Sequence, residues 1–115
     1  MEATIYSNSR CSTCRNTLKI LKDNHVEVTI IEYLEEPPTK ETLKKLLEML
    51  GIGACDLVRK KESIYKEQYG DRALSDDECL DAMVENPILI QRPIVVVGGK
   101  AVVARPPETV LELLS

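Results

Sequence analysis

The stretch "NSRCSTCRNTL" (residues 8–18) carries two cysteines, Cys11 and Cys14, in a C-x-x-C arrangement with Arg10 and Arg15 just outside the pair. A motif of this kind can close a redox disulfide, supply half of a zinc site, or present a thiolate nucleophile. Zinc sites of the C-x-x-C type usually pair two such motifs. Here the remaining cysteines, Cys55 and Cys79, are widely spaced singles, and there is neither a second C-x-x-C nor a histidine cluster. A metal role is therefore set aside, and Cys55 and Cys79 are read as small buried apolar residues.

The position of Cys11 gives the nucleophile reading its physical basis. "ATIYS" reads as a short strand running into the motif, and a helical pattern follows it. A cysteine in that junction lies beside the unpaired N–H groups of a helix N-terminus, which favour thiolate over thiol. A free cysteine with a pKa of about 8.5 is only a few per cent ionised at neutral pH, so becoming mostly thiolate takes about 2.7 kcal/mol. A helix terminus supplies about 0.3–1 kcal/mol, so a cation must help. The one histidine, His25, lies beyond the far end of the helix, about 20 Å along its axis at ~1.5 Å per residue. That excludes a Cys–His hydrolase and leaves His25 as a surface turn residue. Arginine remains as the partner, and its planar fork suits two oxygens of a tetrahedral oxyanion better than the point charge of lysine does.

The elements that must position these groups follow from pattern. Leu18, Ile20 and Leu21 fall on one face of a helix running from Cys14 to Asp23, and "VEVTIIEYL" (26–34) reads as a strand. Thr39 is the expected N-cap of "KETLKKLLEML", whose Leu43, Leu46, Leu47 and Leu50 share a face and which Gly51 closes. Ser75 to Glu78 form a capping box before a helix bearing Leu80, Met83 and Val84. "PIVVV", Gly98-Gly99 and "KAVVA" predict a tight hairpin, and Pro106-Pro107 predict the start of a last helix carrying Val110, Leu111 and Leu114. The order is β-α-β, a helical middle section, then β-β-α. It implies a parallel strand pair at the start and antiparallel neighbours at the end.

Composition bounds the rest. A chain of 115 residues, 43% hydrophobic, suits one domain, and with no Trp or Phe its core must be aliphatic. The net charge of −4 argues against a general nucleic-acid binder, though not against a local basic pocket. "MEATIYS" does not resemble a signal peptide, and no stretch approaches the roughly 20 apolar residues of a membrane span. The expectation is a soluble cytoplasmic protein with reduced thiols and no disulfide scaffold.

The cysteine loop, "RKKE" (59–62), "NPILIQRPIVV" (86–96) and "ARPPETV" (104–110) together resemble the ArsC-type, glutaredoxin-coupled arsenate reductases over nearly the whole chain. The phrase around Arg92-Pro93 is the most specific part. The resemblance implies a single thioredoxin-like α/β domain over 1–115, with a mixed four-stranded sheet and a helical insertion at about 37–88. It implies that Cys11 attacks arsenate and that Arg59, Arg92 and Arg105 bind the oxyanion and favour the thiolate. Glutathione as co-substrate then forms a mixed arsenic–sulfur adduct, glutaredoxin reduces it, and no bound cofactor is needed. The bond before Pro93 is expected to be cis, and Lys60 and Lys61 are expected to be surface charges.

Two alternatives remain, the first of which shares this ancestry. Cys14 stands where reductases of this type can have serine, and a C-x-x-C loop also marks Spx-type regulators that sense oxidants and bind RNA polymerase. Against the regulators, "ARPPETV" keeps an arginine at a position where they generally lack one. A general thiol-disulfide oxidoreductase is the other alternative. Under any of the three, Cys14 could resolve an adduct on Cys11 or merely pack behind the loop.

Overall fold

The computed structural model describes residues 1–114 and divides the chain into two compact units: Met1–Glu36 with the chain from Arg92 onward, and Pro37–Gln91. The first unit contains β1 (Glu2–Ser7), α1 (Ser12–Asp23), β2 (Glu27–Glu32), β3 (Ile94–Val97) and β4 (Lys100–Val103), and closes with a 3₁₀ helix at Pro107–Leu113. The four strands form one sheet in the order β2-β1-β3-β4. β1 and β2 pair in parallel with Ile5 opposite Ile30, while β3 runs antiparallel to both β1 and β4. The parallel start and antiparallel end are those expected from the element order.

Alternation along β1 turns Ala3, Ile5 and Ser7 inward and leaves Glu2, Thr4 and Tyr6 less buried. Ala3, Ile5, Leu21, Val26, Val95, Ala104 and Val110 make the core of this unit, with Ile20, Leu113 and Leu114 packed against it. β2 is an edge strand, which explains why an apolar sequence still leaves Ile30 46% exposed. The hairpin turn takes a left-handed conformation at Gly98 only, with φ 61°.

The last helix differs from expectation. It is 3₁₀, with ~3 residues per turn, so Leu113 joins Val110 on the core side and Leu114 packs there as expected, while Leu111 does not. Val110 is accordingly buried, while Leu111 is 42% exposed.

The second unit holds α2 (Lys40–Leu50), α3 (Ser63–Gln68) and α4 (Asp76–Glu85), with 3₁₀ turns at Ala54–Leu57 and Pro87–Leu89. Thr39 caps α2 by accepting from Thr42 N–H at 3.1 Å, and Gly51 ends it in the left-handed region at φ 71°. Ser75 and Glu78 form the reciprocal capping box of α4. Leu43, Leu46, Leu57, Leu80 and Met83 are fully or nearly buried.

The cysteines of this unit correct the sequence reading. Cys79 is buried as expected, but it and the half-buried Cys55 form a disulfide where the Ala54–Leu57 turn meets α4, so the expectation of reduced thiols fails for this pair. Their Cα atoms lie 5.2 Å apart, within the span a disulfide closes. A separation of 24 residues carries no sign of that proximity, because only packing of the turn on the helix creates it. Among the described residues no helix is long and apolar enough to cross a membrane, and no cluster of His, Cys, Asp and Glu could hold a metal ion.

Candidate active site

β1 ends at Ser7, and the chain turns at once into the cysteine loop. Asn8 shapes the turn: its side-chain Oδ1 accepts from Arg10 N–H at 3.0 Å, and its carbonyl accepts from Cys11 N–H at 2.9 Å. From the helix side, Arg15 Nη1 donates to the Ser9 carbonyl at 2.9 Å. The loop is thus held at both ends, and Cys11 falls at the N-cap of α1 with extended backbone (φ −91°, ψ 121°).

At that position Ser, Thr, Asp or Asn would normally accept from N–H groups one turn on. The Cys11 sulfur makes no such capping bond as a neutral thiol. Burial of the sulfur works against ionisation. The Cys14 N–H, the Cys14 thiol, the Arg92 side chain and the Thr13 N–H outweigh it and bring the thiol down to about 7. Arg105 Nη2 also lies 3.6 Å from Cys11 Sγ.

Cys14 behaves in the opposite way. It is 1% exposed, and burial pushes its thiol up; the neighbouring Cys11 raises it further, while the Asn8 backbone and the Ser7 hydroxyl oppose the shift. The pair therefore divides into an accessible, ionisable sulfur and a buried, protonated one.

Two arginines reach the loop from the other end of the first unit. The peptide bond between Arg92 and Pro93 is cis, as is that between Arg105 and Pro106. Arg105 donates from Nε to the Arg92 carbonyl at 2.6 Å, which joins the end of β4 to the segment entering β3. Arg92 Nη1 lies 3.5 Å from the Tyr33 hydroxyl, and its Nε is buried with no hydrogen-bond partner.

The structure thus brings Cys11, Cys14, Arg92 and Arg105 together within one unit. Arg59 belongs to the second unit, where its N–H donates to the Leu89 carbonyl at 2.7 Å, its Nη2 pairs with Glu62 at 3.3 Å, and its Nη1 is buried without a partner. Lys60 and Lys61 are exposed, as is His25.

Sequence reasoning passed over Tyr33, which reads there as one more aromatic in a β-rich run. It is 1% exposed, and its hydroxyl faces Arg92. The available signal was topological, since Tyr33 follows the C-terminal end of β2 and the parallel neighbour β1 delivers the cysteine loop at that same end. Ser7 and Asn8, both buried beside Cys14, were passed over as well.

The chain as a whole is similar to known proteins. The Escherichia coli (strain K12) protein YfgD, itself uncharacterized, is 48% identical over 115 residues, covering 98% of this chain and 97% of that protein. An arsenate reductase of the same organism is 45% identical over 112 residues, covering 96% of this chain and 79% of that protein. The solved structure of an arsenate reductase from Vibrio cholerae superposes with a TM-score of 0.92 at 46% identity, covering 98% of each chain, and the shared fold is thioredoxin-like. With the model of the ArsC family matching residues 6–113, the chain belongs to the ArsC family.

Proposed function

We propose that the protein reduces arsenate to arsenite through a covalent adduct on Cys11, in the cytoplasm, with glutathione and glutaredoxin supplying the electrons. The observation that carries this reading is the N-cap cysteine whose thiol is lowered to about 7 and whose sulfur has Arg105 Nη2 at 3.6 Å. Such a site can hold an anion against a thiolate without a metal ion. The names borne by the relatives support arsenate as that anion.

The Cys11 thiolate attacks arsenic, forming the sulfur–arsenic bond, and one arsenate oxygen leaves as water. Arg92 and Arg105 hold the remaining oxygens and offset charge that would otherwise repel the thiolate. For Arg59 the support is the resemblance and its own buried, unpartnered Nη1, a donor that a ligand oxygen would satisfy. Glutathione then adds its thiolate. Two sulfurs give up one electron each, As(V) becomes As(III), and arsenite departs from a disulfide that glutaredoxin reduces. The sum is one arsenate and two thiols giving one arsenite, one disulfide and one water.

An arginine resting on the nucleophilic sulfur favours this reading over the regulatory one, because a sensor cysteine needs no oxyanion clamp. The test is arsenite release from arsenate, with glutathione plus glutaredoxin compared against thioredoxin. Turnover with glutathione and glutaredoxin is expected; absence of turnover with either system overturns the proposal.

A further inference from the structure

Arg92 and Arg105 share a property that their charge alone does not explain. Both are anchored by neutral oxygens, Arg105 by the Arg92 carbonyl and Arg92 by the Tyr33 hydroxyl, and among the described residues no carboxylate pairs with either. Arg59 differs, since Glu62 partly neutralises it. A neutral anchor fixes a guanidinium while leaving its whole charge for a thiolate or an incoming anion.

We infer that Tyr33 is a positioning residue for the anion-binding arginine, holding Arg92 through its hydroxyl so that the guanidinium faces Cys11. The inference rests on the reading of Arg92 as an oxyanion ligand. Tyr33 is itself held firmly. It is 1% exposed, and its backbone N–H donates to the Ser7 carbonyl at 3.3 Å, at the residue where β1 ends and the cysteine loop begins. The side chain thus links the start of the nucleophile's loop to the arginine entering β3.

Its chemistry suits the task. Burial pushes the phenol up to about 12, with Arg92 opposing and the two cysteines reinforcing, so between about 7 and about 12 the hydroxyl is neutral while Cys11 is thiolate. A carboxylate there would hold Arg92 more tightly but would cancel its charge and repel an anion. Phenylalanine would fill the same volume and leave Nη1 without its anchor. Arg92 Nε is already buried and unpartnered, so a side chain released from Tyr33 would turn toward water and away from the sulfur.

The test is Tyr33→Phe, which removes one oxygen and keeps the packing. The contact is long at 3.5 Å, so the expected effect sits at the low end for a neutral hydrogen bond, about threefold. Iodoacetamide alkylation of Cys11 followed against pH should show its midpoint rising by about half a pH unit. The groups facing that thiol are Cys14, Arg92 and Arg105, so the same substitution is also made in an Arg92→Ala protein, where it should no longer move the midpoint. In turnover, KM for the oxyanion should rise about threefold in Tyr33→Phe and be unaffected by it once Arg92 is absent. An unchanged midpoint in Tyr33→Phe, or an equal shift in both backgrounds, overturns the inference. Alkylation does not depend on which oxyanion is reduced, so a failure here is separate from a failure of the proposed activity.

Discussion

Replacing Arg105 by alanine removes the guanidinium whose Nη2 lies 3.6 Å from the Cys11 sulfur and whose Nε holds the Arg92 carbonyl. Arg105 is exposed, so its pull on the thiolate is taken at the dielectric of water. At 3.6 Å that gives about 1.2 kcal/mol, enough to move a midpoint of about 7 to about 7.8. At pH 7 the thiolate fraction then falls from about one half to about one seventh, and alkylation of Cys11 slows about 3.5-fold. At pH 9 both proteins are almost fully ionised and should react at nearly equal rates. This convergence is the decisive feature, because a loop merely displaced by the substitution would react more slowly at every pH. The assay is the pseudo-first-order rate of iodoacetamide labelling from pH 5 to 9, with labelling confined to Cys11 by peptide mass. Equal rates at pH 7, or a constant ratio across the range, would refute the electrostatic account.

Cys11→Ser should abolish arsenate reduction while leaving the circular dichroism spectrum unchanged, since an alcohol does not ionise usefully at neutral pH; residual turnover above a few per cent would move the nucleophile elsewhere. Cys14 is buried against Cys11, so reduced protein mixed with arsenate but no glutathione should lose two protons in mass as the pair closes, and Cys14→Ser should not. An unchanged mass in the parent would leave Cys14 as packing. The Cys55–Cys79 bridge spans 24 residues, so the double variant Cys55→Ala/Cys79→Ala should lose about 3.5 kcal/mol of stability from the freed loop. Urea unfolding reads that directly, and a midpoint equal to the parent's would show that the bridge adds nothing.

Much of the scaffold was legible because it rests on local chemistry. Thr39, Ser75 and Gly51 are punctuation that only a helix end explains, and each sits where the structure needs it. The Gly98-Gly99 turn between two valine-rich runs could hardly be anything but a hairpin. The misses share a different cause. The final helix has the apolar content of an α-helix, but its winding depends on hydrogen bonding after two prolines, which apolar content alone does not reveal. The Cys55–Cys79 disulfide and the contact of Tyr33 with Arg92 join residues 24 and 59 positions apart. Periodicity reaches across a few turns of chain, whereas those pairings are made only when elements pack. Cys11 was accessible to sequence reasoning because a strand running into a helix places it at the junction before any tertiary contact is considered.

That junction also ties ionisation to folding. A cysteine is a poor N-cap as a thiol and a good one as a thiolate, because the amides of Thr13 and Cys14 need an acceptor that neutral sulfur does not provide. The folded-state pKa of Cys11 is therefore lowered, and the sign follows. The thiolate's contribution to stability is fully present above the unfolded value, roughly 8.5. It declines as pH falls and is lost on passing through about 7. Serine at this position would cap α1 without ionising, so it gives the helix its acceptor and takes away the reaction. The residue that would best suit α1 as a helix is thus not the residue that serves the site. The two arginines close that gap: they supply to the thiolate what the helix terminus alone does not, and their neutral anchors leave that charge undivided.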